Sequence, residues 1–140
     1  MQNLVSKKEE EERRLKALAE YRILGTKPES CYDDITKIAA TTCNVPISLM
    51  TLVDKDKQWF KSKIGLQISE TRRDWSFCTH AIKENSPLII NDAFQDERFI
   101  NNPLVTGDPK IRFYAGFPLR NSDGNKPVSY THLTLPTMWY

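Results

Sequence analysis

The chain has 140 residues, 39% of them hydrophobic and 27% charged, with 20 Lys and Arg set against 18 Asp and Glu. That describes one globular domain around one core, and the charge balance excludes a broad nucleic-acid groove, which needs a local excess of Lys and Arg. No apolar run reaches the ~20 residues needed to cross a bilayer, and the leading MQNLVSKKEEEERR carries no apolar secretion signal; Cys31, Cys43 and Cys78 make no disulfide framework, so a reducing cytoplasm and no membrane partner are expected.

Residues 6–24 read as a lead helix. Glu9 with Arg13, Glu10 with Arg14 and Glu12 with Lys16 are ion pairs at i,i+4 in the favourable order. Leu15, Leu18, Ala19, Ile23 and Leu24 are its sparse apolar positions, and Gly25 is its stop. The first turns are expected in water, the last turns against the domain or against a second copy of the helix. Thr26 and Glu29 have capping-box spacing, with Pro28 in the first turn of a second helix. That helix places Tyr32, Ile35, Ile38, Ala39, Thr42 and Cys43 along one stripe and ends at Asn44.

Residues 46–53 are apolar on both faces, as in an interior strand. A turn at 54–57 leads to an antiparallel partner at 58–64, closed by Gly65. Residues 66–74 read as a polar loop with Arg72 and Arg73. Ser76 can cap a short helix that turns Phe77, Ala81 and Ile82 inward. Residues 88–90 are a short buried strand. The connection from 92 to 109 is long enough to imply a site or some structure of its own. Residues 111–115 form a strand with Ile111, Phe113 and Ala115 on one face and Arg112 and Tyr114 on the other. Asp123-Gly124 signals a hairpin.

The last fourteen residues, PVSYTHLTLPTMWY, carry no formal charge. The stretch PVSYTHLTLPT resembles a translated sequencing-library adapter, so the native reading frame is expected to end near Lys126, leaving 127–140 as a non-native tail with no function for His132 or Trp139. The alternative is a real terminal strand, on the β preference of Val128, Tyr130, Leu133 and Leu135.

Several blocks carry a family resemblance: YRILGT at 21–26, PISLMTLVD at 46–54, QWFK at 58–61, SFCTHAI at 76–82, DERF at 96–99, NNPLVTG at 101–107 and IRFYAGFPLR at 111–120. As an ordered set, over residues 21–124, they resemble a GAF domain. The resemblance implies an α+β fold with a central antiparallel sheet. Helices pack on one face, and loops close over a small pocket on the other. It divides the chain into a lead helix at 1–24, an incomplete domain at 25–126 and the tail. The family's last strand and C-terminal helix are expected to be missing, and a chain with that strand vacant would be poorly stable.

The same resemblance implies a sensory or regulatory role: an unknown small molecule bound in the pocket, and a homodimer formed through the flanking helices. The signal would pass to an output domain such as a histidine kinase or diguanylate cyclase. The pocket candidates are Trp59, Phe77, Cys78, His80, Asp92, Arg98, Arg112 and Tyr114. No catalytic residue, metal or cofactor is assigned. Cys78 and His80 suggest a metal or a bilin chromophore, but four zinc ligands are not at hand, and bilin-binding relatives place Cys and His side by side. Asn91, Phe94, Asp96 and Glu97 echo the cyclic-nucleotide-binding members in compressed form, against a plain charge network of Asp96, Arg98 and Arg112. The alternatives are a ligand-free dimerisation module and, with less support, a thiol redox enzyme of the same fold.

Overall fold

The computed structural model describes residues 2–83, 86–122 and 128–134. Helices α1 (Gln2–Glu20) and α2 (Ser30–Cys43) precede a hairpin of β1 (Ile47–Val53) and β2 (Lys57–Ile64). Then come β3 (Glu70–Arg72), a 3-10 turn at Arg73–Trp75, and the one-turn helix α3 (Cys78–Ala81). The second half holds β4 (Leu88–Ile90), a 3-10 turn at Ala93–Gln95, α4 (Pro103–Thr106), β5 (Phe113–Leu119) and β6 (Val128–Thr134). The strands form one antiparallel sheet in the order β3-β2-β1-β6-β5-β4.

All seven residues of β1 are buried, Ser48 and Thr51 included, as expected of a strand with apolar residues on both faces and cover on both sides. Its alternation feeds two cores. Ile47, Leu49 and Val53 join Phe60, Phe77, Phe99, Val105, Ile111 and Tyr114 under the loops. Met50 and Leu52 meet Leu18 of α1, with Tyr32, Ala39 and Trp59 against them. The β1–β2 register shifts between Met50 and Thr51. The irregularity falls opposite Lys61, and the consecutive residues Lys61 and Ser62 both reach the α2 side: Ser62 Oγ donates to Asp33 Oδ1 at 2.6 Å and Lys61 Nζ to Thr26 Oγ1 at 2.6 Å. Gly65 has φ +79°, and a Cβ there would lie 2.0 Å from the Pro46 carbonyl oxygen, so the strand end admits only glycine.

Four local expectations are corrected. Thr26 and Glu29 form no capping box: no side chain caps α2, Thr26 Oγ1 donates to the Ile23 carbonyl at 2.5 Å, and Glu29 pairs with Lys61. The α2 stripe is rotated, so that Thr36 is fully buried while Ile35 and Ile38 are 49% and 64% exposed. Residues 70–72 are not loop but an edge strand on β2, held by backbone pairing that needs no apolar side chain. On α1 the bidentate partner of Arg14 is Glu11 at i,i+3, rather than Glu10.

The largest difference lies at the carboxyl end. The strand expected to be missing is filled by Val128–Thr134, which pairs with β1 and β5 along both edges. A ladder is made of backbone groups, so two exposed edges accept almost any segment of moderate β preference. The penalty foreseen for unpaired edges therefore does not arise. The Asp123-Gly124 turn and Trp139 lie outside the described residues.

Candidate functional site

A mostly apolar cavity lies between the sheet and its loop side. Leu49, Gln58, Phe60 and Tyr114 form the sheet wall. Leu66, Ile68 and Thr71 close one flank, Phe77 and Cys78 of the α3 turn a second, and Leu104, Pro109 and Ile111 of the long connection the third. Its volume is about 30 Å³. That holds one or two water molecules, well below the ~300–1,000 Å³ of a typical ligand pocket. No charged side chain lines it.

The sequence places these walls by simple means. Ser76 Oγ accepts from Thr79 N at 3.2 Å and so caps α3, which holds Phe77 inward. Phe77 stacks on Phe99, with ring centroids 4.1 Å apart, and meets Tyr114 at 5.0 Å. Gly116 lies two residues beyond Tyr114, and a Cβ there would meet the phenol oxygen at 2.1 Å. The missing side chain is what lets the Tyr114 ring lie along its strand, where its hydroxyl donates to Cys78 Sγ at 3.4 Å. Asn102 caps α4 by accepting from Leu104 N at 2.9 Å, and its amide donates to the Trp75 carbonyl at 2.9 Å, which pins the long connection to the α3 region.

The polar corner of the cavity is already bonded within itself. Gln58 Nε2 donates to Thr71 Oγ1 at 2.5 Å, and Ser76 Oγ donates to Gln58 Oε1 at 2.6 Å. A ligand here meets apolar walls and the Tyr114 hydroxyl, which donates to the Cys78 sulfur, a weak acceptor.

Of the eight residues expected at the pocket, the cavity brings together Phe77, Cys78 and Tyr114. Trp59 lies on the opposite face of the sheet, against Leu18 and Met50. His80 is half-buried at the outer edge of Phe99, 4.9 Å between rings; burial, then Lys83 and Arg98, push its imidazole below the usual range. Asp92 accepts from Phe94 N at 3.0 Å and starts a 3-10 turn. Arg98 forms a two-point pair with Asp96, at 3.1 and 2.9 Å, and its hydrogen bond holds that carboxyl low. Arg112 donates to the carbonyls of Val105 and Ile111, both at 3.0 Å, and covers the Phe94 ring at 4.8 Å. It braces the long connection and does not join Tyr114 in the cavity.

A larger groove, about 540 Å³, runs between the start of α2 and β2. Three of its charged side chains, Asp33, Lys61 and Lys63, are engaged within the chain. The Lys61 amine is fully buried and donates to Thr26 Oγ1, to the Lys27 carbonyl and to Glu29, the last two at 2.7 Å. Lys63 donates to the carbonyls of Gln67 and Ile68 at 2.8 and 3.1 Å.

A second polar cluster ties α1 to the sheet. Arg14 is 6% exposed, grips both oxygens of Glu11 at 2.9 and 2.8 Å, and donates to the Val53 carbonyl at 2.5 Å. Arg73 donates to Glu11 as well, and to the Asp54 carbonyl at 3.0 Å. Burial raises the Glu11 carboxyl, but the hydrogen bonds and charges of Arg14 and Arg73 outweigh it and bring the pKa down to about 2. None of these three was singled out as a site residue from sequence. The available signal was Arg14 at the i−3/i−4 position from Ala17 and Leu18, a cation on the buried stripe that the described side chains of α1 present.

Among the described residues no group of three or more His, Cys, Asp or Glu is placed to hold a metal, and no helix is long and apolar enough to cross a membrane.

Comparison with known proteins bears on the family and the fold. The chain is 37% identical over 116 residues to the cyclic di-GMP phosphodiesterase PA2567 of Pseudomonas aeruginosa, an alignment that covers 83% of this chain and 20% of that protein. It therefore spans about a fifth of that relative's length. Among solved structures it resembles the GAF domain of a phosphoenolpyruvate-protein phosphotransferase from Coxiella burnetii (TM-score 0.62, 9% identity, covering 93% of this chain and 80% of that one). It also resembles a type II free methionine-R-sulfoxide reductase from Thermoplasma acidophilum (TM-score 0.61, 11% identity, 75% and 72% covered); both likenesses concern the fold alone. The GAF domain model matches residues 27–128, and the chain belongs to the GAF domain family.

Proposed function

We propose that this chain is the sensing and regulatory part of a signalling protein, responding to a small, uncharged, largely apolar molecule. The observation that carries this reading is the uncharged cavity whose three covering flanks come from separate chain segments. A ligand larger than a water or two enters by displacing one of them, and the 65–69 segment is the natural choice, since Ile68 is 44% exposed while lining the cavity. Displacing a wall converts binding into a change of shape, and a ligand moves such an equilibrium only by its differential affinity for the two shapes. Through its relative of Pseudomonas aeruginosa, cyclic di-GMP hydrolysis is the output we propose to lie under its control.

Regulation is favoured over thiol catalysis by where the cysteines lie. Cys31 and Cys43 are exposed on α2, and Cys78 is buried in the loop-side core across the sheet. A thiol redox cycle needs an accessible thiolate with a resolving partner in reach.

The test is an NMR screen of a mixture of small metabolites against the chain and against the cavity-filling variant Leu104→Phe. The reading expects a neutral apolar compound to bind the parent chain and to lose at least about tenfold in affinity, ~1.4 kcal/mol, in the variant. Equal binding to both would remove the cavity from the role.

A ligand-free dimerisation module is the second reading. The small cavity volume favours it, and so do Ile35 and Ile38, exposed on the outer side of α2. Sedimentation of the chain and of Ile35→Asp decides it: a dimer that the substitution dissociates, combined with an empty screen, selects this reading.

A further inference from the structure

The cavity and helix α1 lie on opposite sides of the sheet, yet one chain of hydrogen bonds joins them. It begins in the cavity wall, where Gln58 Nε2 donates to Thr71 Oγ1 and Ser76 Oγ donates to Gln58 Oε1, at 2.5 and 2.6 Å. Ser76 N then donates to the Arg73 carbonyl at 3.0 Å, and Thr79 Oγ1 donates to the same oxygen at 3.0 Å. The Arg73 guanidinium reaches over the β1–β2 turn, donates to the Asp54 carbonyl and ends on Glu11. Glu11 in turn is held by Arg14, whose third contact is the Val53 carbonyl.

Among the described side chains of α1 little else holds the helix down. From residue 6 onward its buried side chains are Arg14, Ala17 and Leu18. A helix docked by one turn of apolar contact and one charged cluster is poised between bound and released positions, with an opening free energy well below that of the whole domain. The cluster is therefore placed to set that balance.

We propose that Glu11, Arg14 and Arg73 form a latch that couples the state of the cavity to the docking of α1. Arg73 is the positioning residue. Its carbonyl is fixed by the Ser76–Thr79 turn at the cavity, and its guanidinium fixes the helix. A displacement of Thr71 or Ser76 by a ligand moves the Arg73 peptide, draws the guanidinium from Glu11, and leaves Arg14 with Glu11 and the Val53 carbonyl alone. Helix α1 then loses one of its two charged tethers to the sheet, keeps the bond from its own Arg14 to the Val53 carbonyl, and undocks more readily. This rests on reading the cavity as the regulatory site, and it names the residues that carry its signal across the sheet.

A double-mutant cycle read by amide hydrogen exchange tests the latch without any ligand. The variants are Thr71→Val, which keeps the shape of the cavity wall and removes the Gln58 acceptor, and Glu11→Gln, which removes the charge of the latch. Ser76→Ala runs beside Thr71→Val, so that one cycle remains if either protein does not fold. Thr71→Val should speed exchange of the α1 amides by about tenfold, within the ~5–150-fold range of coupled sites, and leave the β1 amides unchanged. In the Glu11→Gln background the same substitution should have no further effect on α1. An α1 that ignores both cavity substitutions overturns the latch, as does an effect of the same size with and without Glu11. The ligand screen and this cycle fail independently: an empty screen with a positive cycle removes the ligand and keeps the latch, and a bound ligand with a negative cycle does the reverse.

Discussion

The two faces of the sheet are held by different physics. On the loop side a continuous cluster of buried apolar residues runs from Ile47 and Leu49 through Phe77, Phe99 and Val105 to Tyr114, and Gln58, Thr71 and Ser76 at its edge are bonded to one another. On the helix side the apolar cluster shrinks to Leu18, Met50 and Leu52 with partly covered neighbours, and the fixing points are cations: Arg14 on α1 and Lys61 at the entry to α2. Apolar burial is strong and non-directional, at ~25 cal/mol per Å². Charged tethers are directional and can be undone one bond at a time. A regulatory domain has use for both: one face to keep the fold, and one face whose helices can be released.

Breaking the loop side should cost most. Phe77→Ala removes the ring stacked between Phe99 and Tyr114. We expect a loss of about 3–5 kcal/mol in urea unfolding, the usual range for a buried Phe. A loss below 1 kcal/mol would show that this face is not the stabilising one.

On the helix side, Lys61→Met keeps an unbranched stem against Tyr32 but leaves Thr26, the Lys27 carbonyl and Glu29 without their donor. Glu29 is half exposed and turns to water, so the cost should be lower, about 1–3 kcal/mol. Exchange should rise first in the first turn of α2.

Acid sharpens the comparison further. The folded-state pKa of Glu11 is about 2, below its ordinary 4.5. A depressed carboxylate stabilises the folded chain above the unfolded value, and that contribution drains away as pH falls from 4.5 towards 2. Urea midpoints of the parent chain and Glu11→Gln should therefore differ at pH 6 and converge across that window. A constant difference at all pH values would mean that Glu11 is not ionised in its cluster. The smallest effect belongs to the uncovered stripe of α2: Ile38→Thr, at a site 64% exposed, should stay within ~0.5 kcal/mol.

Much of this architecture is legible in the residues themselves. The two-faced apolar pattern of β1, the Asn44 stop of α2 in the left-handed region (φ 51°) and the inward Phe77 and Ala81 of α3 follow from local pattern, as does the existence of a strand at Leu88–Ile90, although Ile89 at its centre is exposed rather than buried. What pattern misses is decided by partners far along the chain. β3 is three residues, Glu70–Arg72, and exists because β2 offers it an edge. Glu29 has the spacing to cap its helix, but the buried Lys61 amine holds it instead. β6 forms where composition suggested a foreign tail, because β1 and β5 both present open edges to it.

The site follows the same rule. Phe77, Cys78 and Tyr114 share the cavity, whereas Arg112, placed beside Tyr114 by strand alternation, turns to carbonyl groups of its own connection. The regular strand begins at Phe113, one residue too late for alternation to govern Arg112. In the sequence Leu49 and Ile111 read as strand residues, Leu66 as part of a polar loop and Leu104 as part of the long connection, and only the convergence of their segments makes them a cavity wall.

Residue-resolved hydrogen exchange of the unmodified chain, under native conditions, tests the contrast between the faces most directly. The α1 amides from Arg14 to Glu20 should open at a free energy well below that of the β1 amides from Ile47 to Val53, in a step that leaves β1 protected. If α1 and β1 exchange together, at one free energy, the helix is part of the same cooperative core and the contrast drawn between the two faces is wrong.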